Sequence, residues 1–199
     1  MDTIDYIKTN DYIIKVCNVI CSNEGYYGSI NKDDNFSMSI GALQWHGCRA
    51  KKLLKLIVSK NEKQARAILS ETTIFNDLTK DDDYWNKKIA NSIEAEKLSR
   101  LLITSTGIQA QNELLVIDVN NYIQHGISLG ITDPQVLAYF ADLENQGGPI
   151  TAERITKDSG IANNLTLNDI HKAALLDPVL GLNKARRNMT FTRIMITLP

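Results

Sequence analysis

Glu24, Asp33 and Asp34 are the residues of this chain whose types and spacing most suggest chemistry. Hydrolysis of a glycosidic bond usually uses two carboxyl groups, one that donates a proton to the leaving oxygen and one that acts as base or nucleophile. Burial against apolar or aromatic groups raises the pKa of a carboxylic acid enough to keep such a donor protonated. Glu24 fits the donor because it ends an apolar helical segment beside Tyr26 and Tyr27, and either aspartate could be its partner.

The same acids also have an ordinary structural interpretation. A glutamate at a helix end is usually a cap or a solvated side chain, and adjacent acids in a loop usually only keep it soluble. The segment Ser39-Ile40-Gly41-Ala42-Leu43-Gln44 shifts the balance towards chemistry. Its glycine permits close approach of a sugar or of another backbone, and Gln44 offers a donor and an acceptor to a sugar. A turn with a buried glutamine, followed by a core tryptophan, is the alternative.

These residues occupy a polar interruption in an otherwise helical chain. Apolar residues recur at helical spacing from Asp11 to Cys21, whereas Gly25 to Ile40 has the composition of loops and a small β-hairpin. Asp81-Asp82-Asp83 is predicted to cap a helix, and Asp133-Pro134 to begin one that ends at Gly147-Gly148-Pro149. Further helices are predicted at His46 to Ser59, Asn61 to Ser70, Glu94 to Ile103, Thr106 to Gln124, Thr151 to Asp158, Leu167 to Leu176 and Leu180 to Met195.

The order Glu24, Asp34 and Ser39-x-Gly41-x-x-Gln44 resembles the lysozyme-like superfamily, whose lytic transglycosylases and goose-type lysozymes place a catalytic glutamate at a helix end. Tyr139 to Pro149 resembles the segment that lines their glycan cleft and a segment of family 46 chitosanases. The chitosanase helix–turn–helix before that segment is similar to Ala110, Gln111, Tyr122, Gly126, Leu129 and Gly130. Cell-wall hydrolases of phages and of clostridial plasmids or prophages are the most similar overall, through their Glu-Gly-x-Tyr-Gly-Ser, Ser-Ile-Gly-x-x-Gln-Trp-His and Asn-Gln-Gly-Gly segments.

The resemblance spans about residues 10–150 and implies a fold class. We expect a mainly α, α+β lysozyme-like fold, with two helical lobes and a small β-hairpin and loop region flanking a glycan cleft. Residues 1–199 would form one catalytic domain.

The resemblance also implies catalytic roles. Glu24 would be the general acid, Asp34 the general base that activates water, and Ser39 a residue that helps hold this water. Asp33 is the alternative base, because the chain from Glu24 to Asp34 is shorter than in chitosanases. A carboxyl separation of about 6.5–9.5 Å would indicate inversion, and one near about 5 Å a covalent intermediate. In lytic transglycosylation, a third alternative, Glu24 would act alone.

The expected glycan contacts are spread along the chain. Those implied by the resemblance are Gln44, Tyr139, Asn145 and Gln146, and Tyr27 and Trp45 would be stacking surfaces. Tyr139 is equally compatible with a core position on an apolar helical stripe. His46, His125 and His171 have no acidic or thiol partner at motif spacing, so we interpret them as structural.

Composition narrows the function classes. The formal net charge is −1, which disfavours nucleic-acid binding, and we expect no membrane insertion. Cys17, Cys21 and Cys48 match no disulfide module, so we expect cytoplasmic folding. Cys17 and Cys21 could share a helix face as core neighbours or metal ligands, and we favour the core. We predict no metal and no cofactor.

We therefore expect a peptidoglycan hydrolase of muramidase type that binds glycan strands as a monomer. It would be a lysin, a tail-associated wall hydrolase or a bacteriocin's catalytic domain. A chitosanase and a non-catalytic wall-binding module are the alternatives. The segment Met1 to Asn10 does not resemble a signal peptide. The protein would then be made in the cytoplasm and reach the wall through a holin, lysis, or phage or bacteriocin delivery.

Overall fold

The computed structural model describes residues 3–199 and shows a mainly helical chain with one small antiparallel sheet. The first two residues of the segment predicted not to be a signal peptide lie outside the described residues. The elements are α1 (Thr3–Ile7), α2 (Asn10–Glu24), β1 (Ile30–Asp34), β2 (Ser37–Ile40), β3 (Trp45–His46), α3 (Cys48–Lys60), α4 (Glu62–Ile68), α5 (Ile74–Asp77), α6 (Asp82–Trp85), α7 (Ser92–Leu102), α8 (Ser105–Ser128), α9 (Pro134–Ser159), α10 (Leu167–Leu176) and α11 (Lys184–Thr197). Short 3₁₀ helices occupy Ala162–Asn164 and Leu180–Leu182. The predicted mainly α, α+β fold class is confirmed.

The chain divides into two compact units. The central unit is Glu24–Leu115, and the terminal unit comprises the chain up to Asn23 together with Val116–Pro199. All three strands and helices α3–α7 belong to the central unit, whereas α9, α10 and α11 belong to the terminal unit. None of the described helices is long and apolar enough to cross a membrane.

The sheet of the central unit has the order β1-β2-β3, with both pairs antiparallel. Ile30 pairs with Ile40 and Asn31 with Ser39, but Asp34 pairs with Ser37, so β1 contains a register irregularity between Asn31 and Asp34. Such a bulge re-aims the side chains that follow it. The predicted β-hairpin is present. Its bulge turns Asp34, the last residue of β1, relative to the first residues of that strand.

An apolar core holds this sheet against the helices of the central unit. The fully buried side chains include Met38, Ile40, Trp45, Leu53, Leu54, Ile57, Trp85, Leu98, Leu101 and Leu102. Local caps fix the helix starts: Asp81 accepts from the backbone N–H of Tyr84, and Asn91 forms a capping box with Glu94. The predicted cap at Asp81 is confirmed.

Helix α9 organises the terminal unit. It begins at Pro134 with Asp133 as its N-cap, as predicted, and it bends at Gly148, whose φ of 76° is left-handed. The predicted helix end near Gly148 matches this break, and the helix predicted at Thr151 to Asp158 matches the helical backbone that resumes after it and continues to Ser159. Helix α10 starts with a capping box of Thr166 and Asp169.

Candidate active site

Glu24 is the last residue of α2 and is half-buried. The residue before it is firmly anchored, because Asn23 donates to Thr190 over 2.8 Å and accepts from Arg193 over 2.7 Å. Helix α2 therefore holds the backbone of Glu24 in place. The expected aromatic shield is absent on one side, because the Tyr26 side chain is 86% exposed.

Asp34 and Ser39 contact each other directly. The Ser39 hydroxyl, which is fully buried, donates to Oδ2 of Asp34 over 2.5 Å. The backbone oxygen of Asp34 lies 2.8 Å from Nε2 of His46 in β3. A buried serine in the sheet thus fixes the orientation of a half-buried carboxylate at the end of β1. Ser39 therefore contacts the predicted base itself, and its role in holding a water molecule stays a prediction.

Asp33, the alternative base, occupies a different environment. Its side chain is exposed, and Oδ1 accepts from the backbone N–H of Phe36 over 3.0 Å. This is a local turn contact of the kind that aspartate makes in many loops. The geometry favours Asp34 over Asp33 as the positioned carboxylate.

Gly41 adopts a φ of 75°, and its missing side chain is explained by protein neighbours. A Cβ there would lie 2.5 Å from Oε1 of Gln111 and 3.1 Å from the Trp45 ring. Gln111 accepts from the backbone N–H of Ala42 over 3.0 Å and donates to the backbone oxygen of Leu102 over 3.0 Å. The close approach predicted at this glycine is therefore made by Gln111 and Trp45. The resemblance to chitosanases named Gln111 without giving it this contact, through which it holds the turn at Gly41 and Ala42.

Trp45 is fully buried, so its predicted role as a stacking surface is wrong. A ring that no solvent reaches offers no face to a sugar. The alternative that the sequence left open, a core tryptophan, applies instead.

Gln44 keeps a position compatible with glycan binding. It is half-buried, has a φ of 49°, and donates from Nε2 to the backbone oxygen of Gly41 over 2.9 Å. A Cβ on Gly25 would lie 3.4 Å from this Nε2 atom, so the amide of Gln44 lies beside the residue that follows Glu24. A left-handed φ in a residue other than glycine, asparagine or aspartate costs free energy and is typical of functional sites.

Tyr27 is partly exposed, and its ring is held at the hydroxyl end. The hydroxyl donates to Oδ1 of Asn112 over 2.7 Å, and 37% of the residue's surface is accessible. An anchored and partly exposed ring is suited to stacking, and the stacking role of Tyr27 stays a prediction.

The other predicted glycan contacts lie in the terminal unit. Tyr139 is fully buried and its hydroxyl is 2.9 Å from Nδ1 of His171, so the prediction that it contacts glycan is wrong. Burial raises the pKa of Tyr139 and lowers that of His171, which favours the neutral form of both. Gln146 accepts from the Arg187 guanidinium, and Asn145 accepts from the Tyr122 hydroxyl over 3.4 Å. Both amides are half-buried, and their glycan contacts remain predictions.

A buried ionic cluster accompanies these residues in the terminal unit. Asp142 and Arg187 are both fully buried, and Oδ2 of Asp142 accepts from the Arg187 guanidinium over 2.8 Å. The remaining donors to this carboxylate are Asn23 at 3.3 Å, Arg186 at 3.1 Å and Thr190 at 3.1 Å. Asp142 lies within the Tyr139 to Pro149 segment, but its partners come from α2 and α11, so sequence spacing gave no sign of the cluster.

His125 has acidic partners that motif spacing did not reveal. Its Nδ1 lies 2.8 Å from Glu144 and its Nε2 3.3 Å from Glu153, which stand before and after the bend of α9. His125 thus bridges the bend of α9, and the structural role predicted for it stays a prediction. Among the described residues, no group of three or more His, Cys, Asp or Glu side chains could hold a metal ion.

Comparisons with known proteins give a structural likeness only. No family model and no curated protein matches the sequence. The native chitosanase from Bacillus subtilis MY002 is similar in structure, with a TM-score of 0.61 and 13% identity, over 94% of this chain and 86% of that chain. A variant of that chitosanase in complex with 6 GlcN gives a TM-score of 0.62 and 14% identity over the same shares. The chain therefore has the chitosanase-like fold that its resemblance to the lysozyme-like superfamily implied.

Proposed function

We propose that the protein is a glycoside hydrolase that cleaves the β-1,4-linked backbone of an amino-sugar polymer, with Glu24 as general acid and Asp34 as general base. The observation that carries this proposal is the 2.5 Å hydrogen bond from the buried Ser39 hydroxyl to Asp34. It orients one carboxylate in the hairpin that directly follows the helix ending in the other. The likeness to solved chitosanases supports the same chemistry on the same fold.

In the proposed reaction, Glu24 donates its proton to the glycosidic oxygen as the bond from that oxygen to the anomeric carbon breaks. A water molecule attacks this carbon, and Asp34 accepts the proton that the water loses. Ser39 leaves one edge of the Asp34 carboxylate fixed, so the other oxygen has a defined direction. General acid or base catalysis of this kind contributes about 10²–10⁴-fold to the rate.

Peptidoglycan is the first candidate substrate. A formal net charge of −1 gives little attraction to the polycation chitosan, whereas peptidoglycan strands do not require an acidic protein. The segments around Glu24, Ser39 and Asn145 resemble those of cell-wall hydrolases. In this proposal the enzyme is a muramidase-type lysin, tail-associated wall hydrolase or bacteriocin domain, and it acts as a monomer once delivered to the wall.

Chitosan is the second candidate, because the similar chitosanase was solved in complex with 6 GlcN. The two polymers share a β-1,4-linked amino-sugar backbone and differ in the substituents of the sugars. The same catalytic pair could serve either one, so the substrate depends on residues that read those substituents.

Glu24→Gln tests the proposal. We expect clearing of bacterial walls, or of chitosan, to fall by at least about 10²-fold while the melting temperature stays within about 2 °C of wild type. Mass analysis of the released fragments identifies the polymer, and new reducing ends distinguish hydrolysis from transglycosylation, which leaves anhydro ends.

Glu62→Gln is the matched control, because Glu62 is a surface residue of α4 paired with Arg66. It should retain full activity. A Glu24→Gln variant as active as wild type would refute the assigned acid. Wild-type protein that cleaves neither polymer would refute the proposal that the protein is a glycoside hydrolase.

A further inference from the structure

The turn of the β1–β2 hairpin contains a residue that its backbone disfavours. Because Asp34 pairs with Ser37, the loop consists of Asn35 and Phe36 alone. Both have positive φ, 55° and 73° respectively, which is the pattern of a type I′ turn. Asparagine is a preferred first residue of this turn and glycine the preferred second, so Phe36 stands where glycine would be favoured.

Neither the turn nor the core explains this phenylalanine. An L-residue with a Cβ pays a steric penalty in the left-handed region, and a bulky residue there is a genuine outlier. Burial of the ring could offset that penalty, but Phe36 is 75% exposed. Its hydrogen bond to Asp33 is made by the backbone N–H, which glycine would retain. The side chain therefore adds strain while most of its surface stays exposed to solvent.

The position of Phe36 gives the exposed ring a use. The turn ends β1, so Phe36 is two residues beyond Asp34, whose orientation the buried Ser39 fixes. A two-residue turn between paired strands fixes the backbone of Phe36 relative to that of Asp34. Strained residues that the surrounding structure holds in place are concentrated at ligand-binding sites.

We propose that Phe36 is a substrate-binding residue, whose ring stacks on the apolar face of a pyranose unit of the glycan beside Asp34. This inference rests on the proposed glycoside hydrolase function and adds a subsite to it. A pyranose presents a face of C–H groups, and an exposed aromatic ring desolvates that face at little entropic cost. The contact does not depend on the charge of the sugar substituents, so it would bind either candidate polymer.

Phe36→Gly separates a binding role from a structural one, because the two roles predict opposite changes in melting temperature. A structural role predicts a decrease, and a binding role in a strained turn predicts an increase. Relief of the left-handed strain should raise the melting temperature by about 2–4 °C. Loss of the stacking face should raise KM on the order of tenfold and change kcat by less than about threefold, since the ring takes no part in proton transfer.

Three variants sharpen the result. Phe36→Tyr keeps the ring and should keep the wild-type KM. Phe36→Leu keeps the strain and an apolar side chain but lacks the ring, so KM should rise without a gain in stability. Asn35→Gly changes the neighbouring turn residue and should leave KM unchanged.

Binding of a glucosamine hexamer and of a soluble peptidoglycan fragment to the Glu24→Gln protein, with and without Phe36→Gly, gives a readout independent of turnover. Weaker binding in the double variant supports the inference. Unchanged KM and unchanged binding in Phe36→Gly, or a lower melting temperature, would overturn it. If wild-type protein cleaves neither polymer, the proposed function fails, and the binding comparison alone decides the role of Phe36.

Discussion

Two carboxylates, Asp34 in the central unit and Asp142 in the terminal unit, are held in contrasting ways. Asp34 is half-buried at a strand end and is oriented by the hydroxyl of Ser39. Asp142 is fully buried, and both of its oxygens accept hydrogen bonds from charged guanidinium groups, from Arg186 and Arg187. The contrast is between a carboxylate that water can reach and one that is enclosed by donors.

This difference distinguishes a carboxylate suited to catalysis, Asp34, from one suited to stabilising the fold, Asp142. A carboxylate offers about four lone-pair sites, and the four hydrogen bonds to Asp142 from Asn23, Arg186, Arg187 and Thr190 occupy them. Such a group has no site left for a proton from water and instead balances buried positive charge. Asp34 is accessible and oriented, which is what a general base requires.

The largest expected effect falls on activity. Asp34→Asn should lower the rate of glycan cleavage by about 10²–10⁴-fold, because an amide cannot accept the proton, while the free energy of unfolding changes by less than about 1 kcal/mol. Rates on the active polymer and urea unfolding measure the two quantities. Asp33→Asn, in the same strand, is the control and should stay active. Loss of activity in Asp33→Asn alone would assign the base to the neighbouring residue.

Asp142→Asn should have its main effect on the free energy of unfolding, unlike Asp34→Asn, whose main effect is on the rate of cleavage. Removal of the negative charge leaves the Arg187 guanidinium buried without its counter-ion, which typically costs about 3–5 kcal/mol of stability. Urea unfolding should reveal this loss, and the exposed residue change Asp158→Asn should show almost none. A stable Asp142→Asn protein would mean that water, and not the carboxylate, solvates the arginines.

The smallest effect concerns Asp177, a second supporting carboxylate. Burial raises its pKa, but hydrogen bonds from Arg154 and from the backbone N–H groups of Leu180 and Val179 outweigh this and lower it below the usual value. The unfolded chain then binds the proton more readily, so the stabilisation is complete above about pH 4 and is lost as the pH falls through the lowered pKa. The free energy of unfolding of wild type should therefore drop more steeply below about pH 4 than that of Asp177→Asn. Equal slopes in urea titrations would contradict the assignment.

Sequence patterns predicted those features that local chemistry determines. The bounds of α10, Leu167–Leu176, agree with the prediction because Thr166 and Asp169 cap its start within one turn. The start of α9 at Pro134 was likewise predicted from its cap. The helix ending at Glu24 followed by a hairpin also came from local periodicity and composition.

Features that depend on distant partners were missed. Whether Trp45 faces solvent depends on the packing around Gly41 and Gln111, which lie far apart in the chain. The partners of Asp142 come from opposite ends of the sequence. The position of Phe36 in its turn depends on a one-residue shift in strand register, which composition does not specify.

The hydrogen bond from Arg193 of α11 to Asn23 gives the C-terminal helix a structural role that no sequence motif within it indicates. Together with the hydrogen bond between Asn23 and Thr190, it fastens the end of α2 to a helix from the far end of the chain. Truncation of the protein before α11, a common choice when an enzyme is shortened or fused to a carrier, would remove both hydrogen bonds to Asn23. The loss of stability would appear at α2, almost the whole sequence away from the cut.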